Sequence, residues 1–338
     1  VTQGLLGASF GQALYGRRLG KPAILWGAFM GMLPDVDTAL NLTGPLGEFV
    51  WHRSFTHSLW FGPVVGPLLG LLLWRWRGDP EVTRAAWMGL GVVALVTHPL
   101  LDWFTSYGTQ LLHPFSRHRF ALDAVAIVDP AYSVVLVLGL LVGAWRGFAT
   151  GASQWAGALA LALSTAYLCY GFALNERLKG EVRAALAAEG VPRARVEAYP
   201  TLLQTHLRRV VVRAGHETRV GFVSTWTGRG TWESFHEPQD PRIAAARDTP
   251  EGRLLEWFAM GVTTGRVPPR EGGSAVEIDD LRYGFPSRPR QGLWGLRFEL
   301  DAQGRPLPGA SRYNRPLPAP AGDLLREVFQ RAYSASPS

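Results

Sequence analysis

Ionisable residues are scarce in the first half of this chain, and most of them gather in four short segments. Asp35 and Asp37 stand in Pro34-Asp35-Val36-Asp37, at the end of an apolar run. His52, Arg53 and His57 stand in His52-Arg53-Ser54-Phe55-Thr56-His57-Ser58. His98 and Asp102 stand in Thr97-His98-Pro99-Leu100-Leu101-Asp102, where i,i+4 spacing puts imidazole and carboxylate on one helical face. His113, His118, Asp123 and Asp129 follow. Several imidazoles and carboxylates with no cysteine among them form a hard-to-borderline ligand set that suits zinc, and less specifically manganese or iron. Such a set can hold more than one ion, the arrangement used for phosphoester hydrolysis, where the metal lowers the pKa of water and neutralises phosphoryl charge. Arg53 would clamp the phosphoryl oxygens.

Taken singly, each segment has a plainer explanation. Pro-Asp-x-Asp is a common turn, a lone histidine such as His113 is more often an interfacial residue than a ligand, and the Asp102 carboxylate could serve only to orient His98. The conjunction of three clusters at one membrane face is what argues for a metal site.

The elements that must bring them together are apolar. The chain of 338 residues is 47% hydrophobic and 18% charged, but residues 1–174 hold only ten Lys or Arg and eight Asp or Glu, against 34 and 27 in the whole. This composition excludes intrinsic disorder, a fully polytopic transporter and a disulfide-stapled secreted module, and the single cysteine cannot form an internal bridge. The net charge of +7 comes almost wholly from arginine, Lys21 and Lys179 being the only lysines, and the arginines form no dense run. No nucleic-acid partner is indicated. The charge-poor stretches predict about four membrane spans, at 59–76, 85–101, 130–146 and 147–175, the last with Trp155, Tyr167 and Tyr170 as interfacial anchors. Two further helices, 3–15 and 22–33, are expected before them, and no cleavable signal peptide is visible.

If 59–76 runs away from His57 and 85–101 runs back, His57 and Asp102 end on one side of the membrane, together with Asp123 and Asp129. Ionisable groups at a bilayer edge are costly unless paired, hydrated or holding a metal. Beyond Asn175 the character changes. An amphipathic helix is expected over 176–189, a hairpin of 208–214 and 218–226 around Gly215-His216, a strand at 293–300 and helices at 250–260 and 321–333. The stretches 262–290 and 302–320 read as loops. The predicted architecture is thus mainly α, with a polytopic helical membrane domain over 1–175 and a small α+β extramembrane domain over 176–338.

The ordered motifs Pro34-Asp35-Val36-Asp37, His52-Arg53-Ser54-Phe55-Thr56-His57-Ser58, Thr97-His98-Pro99-Leu100-Leu101-Asp102 through Gly108, Phe120-Ala121-Leu122-Asp123 and Val128-Asp129-Pro130 resemble the YdjM-like family of bacterial inner-membrane proteins. That family is described as membrane-bound metal-dependent hydrolases, distantly similar to zinc-dependent phospholipase C. The resemblance, over residues 2–175, implies ligands at Asp35, His52 or His57, His98 and Asp102. Asp102 is a candidate bridge between ions, and Asp37 either a ligand or a residue that orients one. Family members often carry Thr-His where this chain has Thr2-Gln3, and glutamine is a poor zinc ligand, which speaks against a further ion near the N-terminus. The full set of candidate metal residues is Asp35, Asp37, His52, His57, His98, Asp102, Asp123 and Asp129, with Asp35 and Arg53 as candidate catalytic residues.

Two functions from different classes follow. The first is a hydrolase with one or more divalent ions, most simply zinc, cleaving a small-molecule or lipid phosphoester at the membrane surface. The second is a non-enzymatic membrane protein whose His and Asp residues brace helix ends while the C-terminal domain, with Trp226, Trp232, Trp257 and Trp294, binds a partner. The expected location is the bacterial inner membrane. Arg75, Arg77, Arg84 and Arg146 weakly favour a cytoplasmic side for their loops, and so a periplasmic metal face and C-terminal domain.

Overall fold

The computed structural model of the chain describes residues 1–39, 44–78, 82–268 and 275–334. These form two compact units, Val1–Leu42 with Val50–Phe172, and Thr43–Phe49 with Ala173–Ser338.

In the first unit the apolar runs become helices. Helix α1 (Thr2–Phe10) continues through a π-helical turn at Gly11–Tyr15 into the short α2 (Gly16–Leu19), and α3 (Lys21–Met32) follows with Pro22 in its first turn. The single helix expected over 3–15 is therefore interrupted. At the π turn the wholly buried Gln12 donates from Nε2 to Gly139 O and Ser153 O, 2.8 and 2.9 Å away. After α3 the backbone tightens into a 3-10 segment, Leu33–Thr38, which carries Asp35 and Asp37. Helix α4 (Gly47–Trp51) and a short turn at Phe55–His57 lead into α5 (Phe61–Arg77), then α6 (Arg84–Trp103), α7 (Pro130–Arg146) and α8 (Gly151–Ala188).

Helices α5 and α6 are antiparallel. A Cβ on Gly62 would meet Val96, one on Gly66 would come within 2.5 Å of the Val92 nitrogen, and one on Gly70 would meet Met88. Backbones can approach this closely only where no side chain intervenes, the small-residue packing favoured between membrane helices. The outer faces are apolar instead: Val64, Leu68, Leu72 and Trp76 on α5, and Val134, Leu138, Leu141 and Trp145 on α7, are exposed at roughly helical spacing. The interior gathers Leu6, Leu101, Val125, Tyr132, Leu136 and Leu168.

Four spans were expected, and length and composition qualify two or three helices as spans. Among the described residues, two helices, Arg84–Trp103 and Gly151–Ala188, are long and apolar enough to cross a membrane, and a third crossing arises if Gly47–His57 and Phe61–Arg77, bent by 66°, count as one. Pro130–Arg146 has 17 residues, about 26 Å of helix against a hydrocarbon core of about 30 Å. The break expected after Asn175 is also absent. No proline or capping glycine separates the apolar stretch from the amphipathic one, so α8 runs unbroken through both.

The second unit holds two four-stranded antiparallel sheets, each in simple sequence order. The first comprises β1 (Arg195–Pro200), β2 (Leu207–Ala214), β3 (Glu217–Ser224) and β4 (Gly230–His236). The expected hairpin is present, with Ala214 opposite Glu217 and Gly215 at φ +61° in the turn. The second comprises β5 (Thr263–Arg266), β6 (Ala275–Asp280), β7 (Trp294–Glu299) and β8 (Ser311–Asn314). Here 262–290 and 302–320, expected as loops, contain strands, although 269–274 lie outside the described residues. The acidic residues of β6 hid its pattern: Glu277 and Asp279 are buried, where Arg297 and Arg315 pair with them. Helices α9 (Pro241–Asp248), α10 (Pro250–Phe258) and α11 (Ala321–Tyr333) complete the unit. Tyr199, Leu207, Val211, Phe222, Leu281 and Val328 form one core. Phe49 stacks on Phe258 beside Trp294, with ring centroids 4.5 and 5.4 Å away.

Candidate metal centre

Four side-chain atoms from three segments converge inside the first unit. His57 Nε2 lies 3.0 Å from His98 Nε2. Asp35 Oδ1 lies 3.5 Å from His57 Nε2 and 3.4 Å from His98 Nε2. Asp102 Oδ2 lies 3.3 Å and 3.5 Å from the same two nitrogens. The α5–α6 pairing makes this meeting possible, because His57 precedes α5 while His98 and Asp102 end α6. Gly31 matters equally on the α3 side. Its carbonyl lies 2.6 Å from His98 Nδ1, and a Cβ there would come within 2.6 Å of the Gln3 carbonyl on α1.

The outer hydrogen bonds fix what the inner atoms present. A carbonyl can only accept, so His98 Nδ1 carries the proton toward Gly31, and in the neutral imidazole Nε2 presents its lone pair inward. His57 Nδ1 faces Asp37 Oδ2 at 3.1 Å and Thr56 Oγ1 at 3.0 Å, which leaves its Nε2 in the same state. Asp102 Oδ1 accepts from Gln3 Nε2 at 2.9 Å and lies 3.2 Å from Arg53 Nη2, while Oδ2 is buried without a hydrogen bond. Two imidazole nitrogens and a carboxylate oxygen thus crowd one another, a contact that a proton on one imidazole or a cation at their common point would satisfy. Ligand bonds of about 2.0–2.2 Å in tetrahedral array require edges of about 3.3–3.6 Å. The three distances among Asp35, His57 and His98 run from 3.0 to 3.5 Å, whereas Asp102 lies 3.3 and 3.5 Å from the two imidazoles without joining the same group. The residues fit a metal ion, and Asp35, His57 and His98 form a group that could hold one.

Asp37, His52 and His57 form a second such group. Here both Asp37 oxygens are already engaged: Oδ1 with His52 Nδ1 at 2.8 Å, and Oδ2 with the Thr56 hydroxyl at 2.7 Å, the Arg53 amide at 3.2 Å and His57. Burial opposes ionisation of Asp37, but hydrogen bonds from His52, His57 and Thr56 outweigh it and hold the carboxyl below its ordinary range. In the metal-free protein the balance runs the same way at Asp35, which accepts from His57 and His98 in their protonated forms.

Arg53, expected to clamp phosphoryl oxygens, is instead buried. Its Nη1 donates to Thr105 Oγ1 at 2.9 Å, Nη2 reaches Asp102, and the guanidinium lies over the Tyr107 ring. The residue adopts φ +59°, secured by Gln110 N donating to Arg53 O. Asp123 and Asp129 join neither group. Asp129 caps α7, accepting from the Ala131 and Tyr132 amides and from the Tyr167 hydroxyl. Asp123 is buried at φ +51°. His113 packs edge-on against Phe55. Among the described residues, Gln3, Gly31, Thr56 and Thr105 are the contributors that residue type did not single out; Gln3 alone carried a signal, by standing where the resembled family often has histidine.

The inner membrane protein YbcI of Escherichia coli (strain K12) is 38% identical over 109 residues, 31% of this chain and 61% of that protein. The uncharacterized protein YfhP of Bacillus subtilis (strain 168) is 31% identical over 109 residues, 29% of each. The chain therefore spans less than two thirds of either relative. No solved structure matches it. The family described as YdjM inner membrane protein matches residues 1–178, just over half the chain. With apolar helices long enough to cross a bilayer and motifs in the same region, this is a multi-pass inner-membrane protein that belongs to the YdjM family.

Proposed function

We propose that the first unit is a metal-dependent hydrolase, most simply a zinc enzyme, that cleaves a phosphoester at the membrane interface. The observation that supports it is the gathering of His57 Nε2, His98 Nε2 and Asp35 Oδ1 within 3.5 Å of one another, with Asp102 Oδ2 beside both imidazoles. A bound divalent ion there would supply Lewis acidity toward a phosphoryl oxygen and lower the pKa of water. The protein's own residues do the rest. Gly31 and Asp37 fix the tautomers of the two ligand imidazoles, and Arg53 holds Asp102 from behind. Asp35, with its side chain 47% exposed, lies on the open side, where its carboxylate would hold the ion and face the substrate. In the same reading α5, α6, α7 and the apolar part of α8 are four spans, which puts the metal face and the C-terminus on one side, the periplasm.

Metal analysis of detergent-purified protein, alongside His98→Ala and Asp102→Ala, is the test. Loss of stoichiometric metal in both variants, together with loss of hydrolysis of model phosphodiesters, is expected. Metal that survives both substitutions sinks the assignment. A metal-free wild-type protein would instead favour bracing of helix ends, the role to which the extensive hydrogen bonding of Asp37 is also suited.

A further inference from the structure

We infer that this centre takes one ion and not two, and that Gln3 is a positioning residue that enforces this by holding Asp102 to a single ligand oxygen. The inference rests on the metal reading above and goes beyond it. A second ion beside the first needs shared or neighbouring ligands with lone pairs to give, and three features of the surroundings withhold them.

Asp102 is the first. A carboxylate that bridges in the two-oxygen mode needs both oxygens, but Oδ1 is turned away from the imidazoles and met by two donors, Gln3 Nε2 at 2.9 Å and Arg53 Nη2 at 3.2 Å. Gln3 is itself anchored, since the same Nε2 lies 3.1 Å from the His98 carbonyl. Oδ2 alone remains, buried and without a hydrogen bond. The second feature is His57. An imidazole that binds an ion through Nε2 keeps its proton on Nδ1, and Nδ1 faces Asp37 and Thr56. The third is Asp37, whose two oxygens serve His52, Thr56, Arg53 and His57. The group formed by Asp37, His52 and His57 is therefore consumed in orienting the first site. The bridge expected of Asp102 is not available in this arrangement.

The experiment is a titration of metal-stripped, detergent-purified full-length protein with cobalt(II), followed by visible absorption and by metal analysis after desalting. One equivalent, with the intense visible bands of a tetrahedral site, is expected. Two equivalents would overturn the one-ion inference and leave the metal reading standing. No bound cobalt would overturn both. Gln3→Leu, which keeps bulk but removes the donor, and Gln3→Glu, which faces one carboxylate with another, are expected to weaken cobalt binding about 10- to 100-fold, the usual cost of losing a partner of a metal ligand. If Gln3 merely packs α1 against its neighbours, these variants lower thermal stability with unchanged cobalt spectrum and affinity, and that result removes Gln3 from the inference.

Discussion

Asp37 shows how much a residue can matter to the proposed ion without touching it. It accepts from four groups, and two of these set the position of His57 and the backbone of Arg53. Replacing it by Asn keeps the shape but converts one acceptor oxygen into a donor facing donors. Asp37→Asn is expected to lower metal affinity about 10- to 100-fold, as measured by competition against a chelator of known affinity. An unchanged affinity would show that His57 is oriented by other means. The same residue sets a pH limit on the metal-free protein. Its folded-state pKa is depressed, so its contribution to stability is in force above the unfolded value of about 3.9 and fades as pH falls through the folded value. Acid unfolding of the Asn variant should therefore begin at higher pH than in the wild type, which circular dichroism can follow. Much at this scale is written in the sequence: the residue types declare a metal set, and the i,i+4 spacing of His98 and Asp102 puts both on one face. What spacing cannot declare is which oxygen or nitrogen faces inward. That depends on Gly31, Gln3 and Thr105, whose roles exist only once three segments meet.

The elements bring the ligands together through surfaces with almost no side chain. Gly66 packs against the backbone of α6, where an added Cβ would fall 2.5 Å from the Val92 nitrogen. Gly66→Leu must push α5 from α6 and so draw His57 from His98, although no ligand changes. Loss of metal and a marked fall in melting temperature are expected, whereas Gly151→Ala, with nothing within 4 Å of the new Cβ, should change neither. Equal effects of the two substitutions would show that close α5–α6 contact does not set the site. Hydropathy made these helices readable as apolar segments, of which length and composition qualify two or three as spans among the described residues. The mean character of a segment does not report that Phe61–Arg77 bends away from Gly47–His57, or that Pro130–Arg146 is short. In the second unit the error ran the other way. Strand β6 buries Glu277 and Asp279 against arginines, and β5 and β8 are only four residues long, so a search for apolar alternation passes over them.

At the scale of the whole molecule, charge divides the chain into two compartments, yet the fold does not cut it at one point. The segment 44–49, lying between the Asp35–Asp37 and His52–His57 motifs in sequence, belongs with the C-terminal unit. Phe49 is 1% exposed there, stacked on Phe258, and Glu48 pairs with Arg312 at 2.8 Å. A fragment beginning at residue 173 would lack that ring, and Phe49→Ala in the full chain should cost about 3–5 kcal/mol, read as earlier unfolding of the C-terminal unit. Sidedness is the remaining question of this scale. With α5 to α8 as four spans, the chain after α5 and the chain after α8 lie on opposite sides of the membrane, whatever the N-terminal helices do. Three crossings, with Pro130–Arg146 held inside the bundle, would put them on the same side. A pair of reporter fusions, one at Gly78 after α5 and one after Tyr333, separates the two arrangements. An enzyme active only in the periplasm and a fluorophore that matures only in the cytoplasm should give opposite signals at the two positions. The positive-inside bias of Arg75, Arg77, Arg84 and Arg146 assigns the cytoplasmic signal to Gly78. Matching signals would remove α7 as a span, and a reversed pair would turn the proposed metal face toward the cytoplasm and change the pool of phosphoesters it can meet.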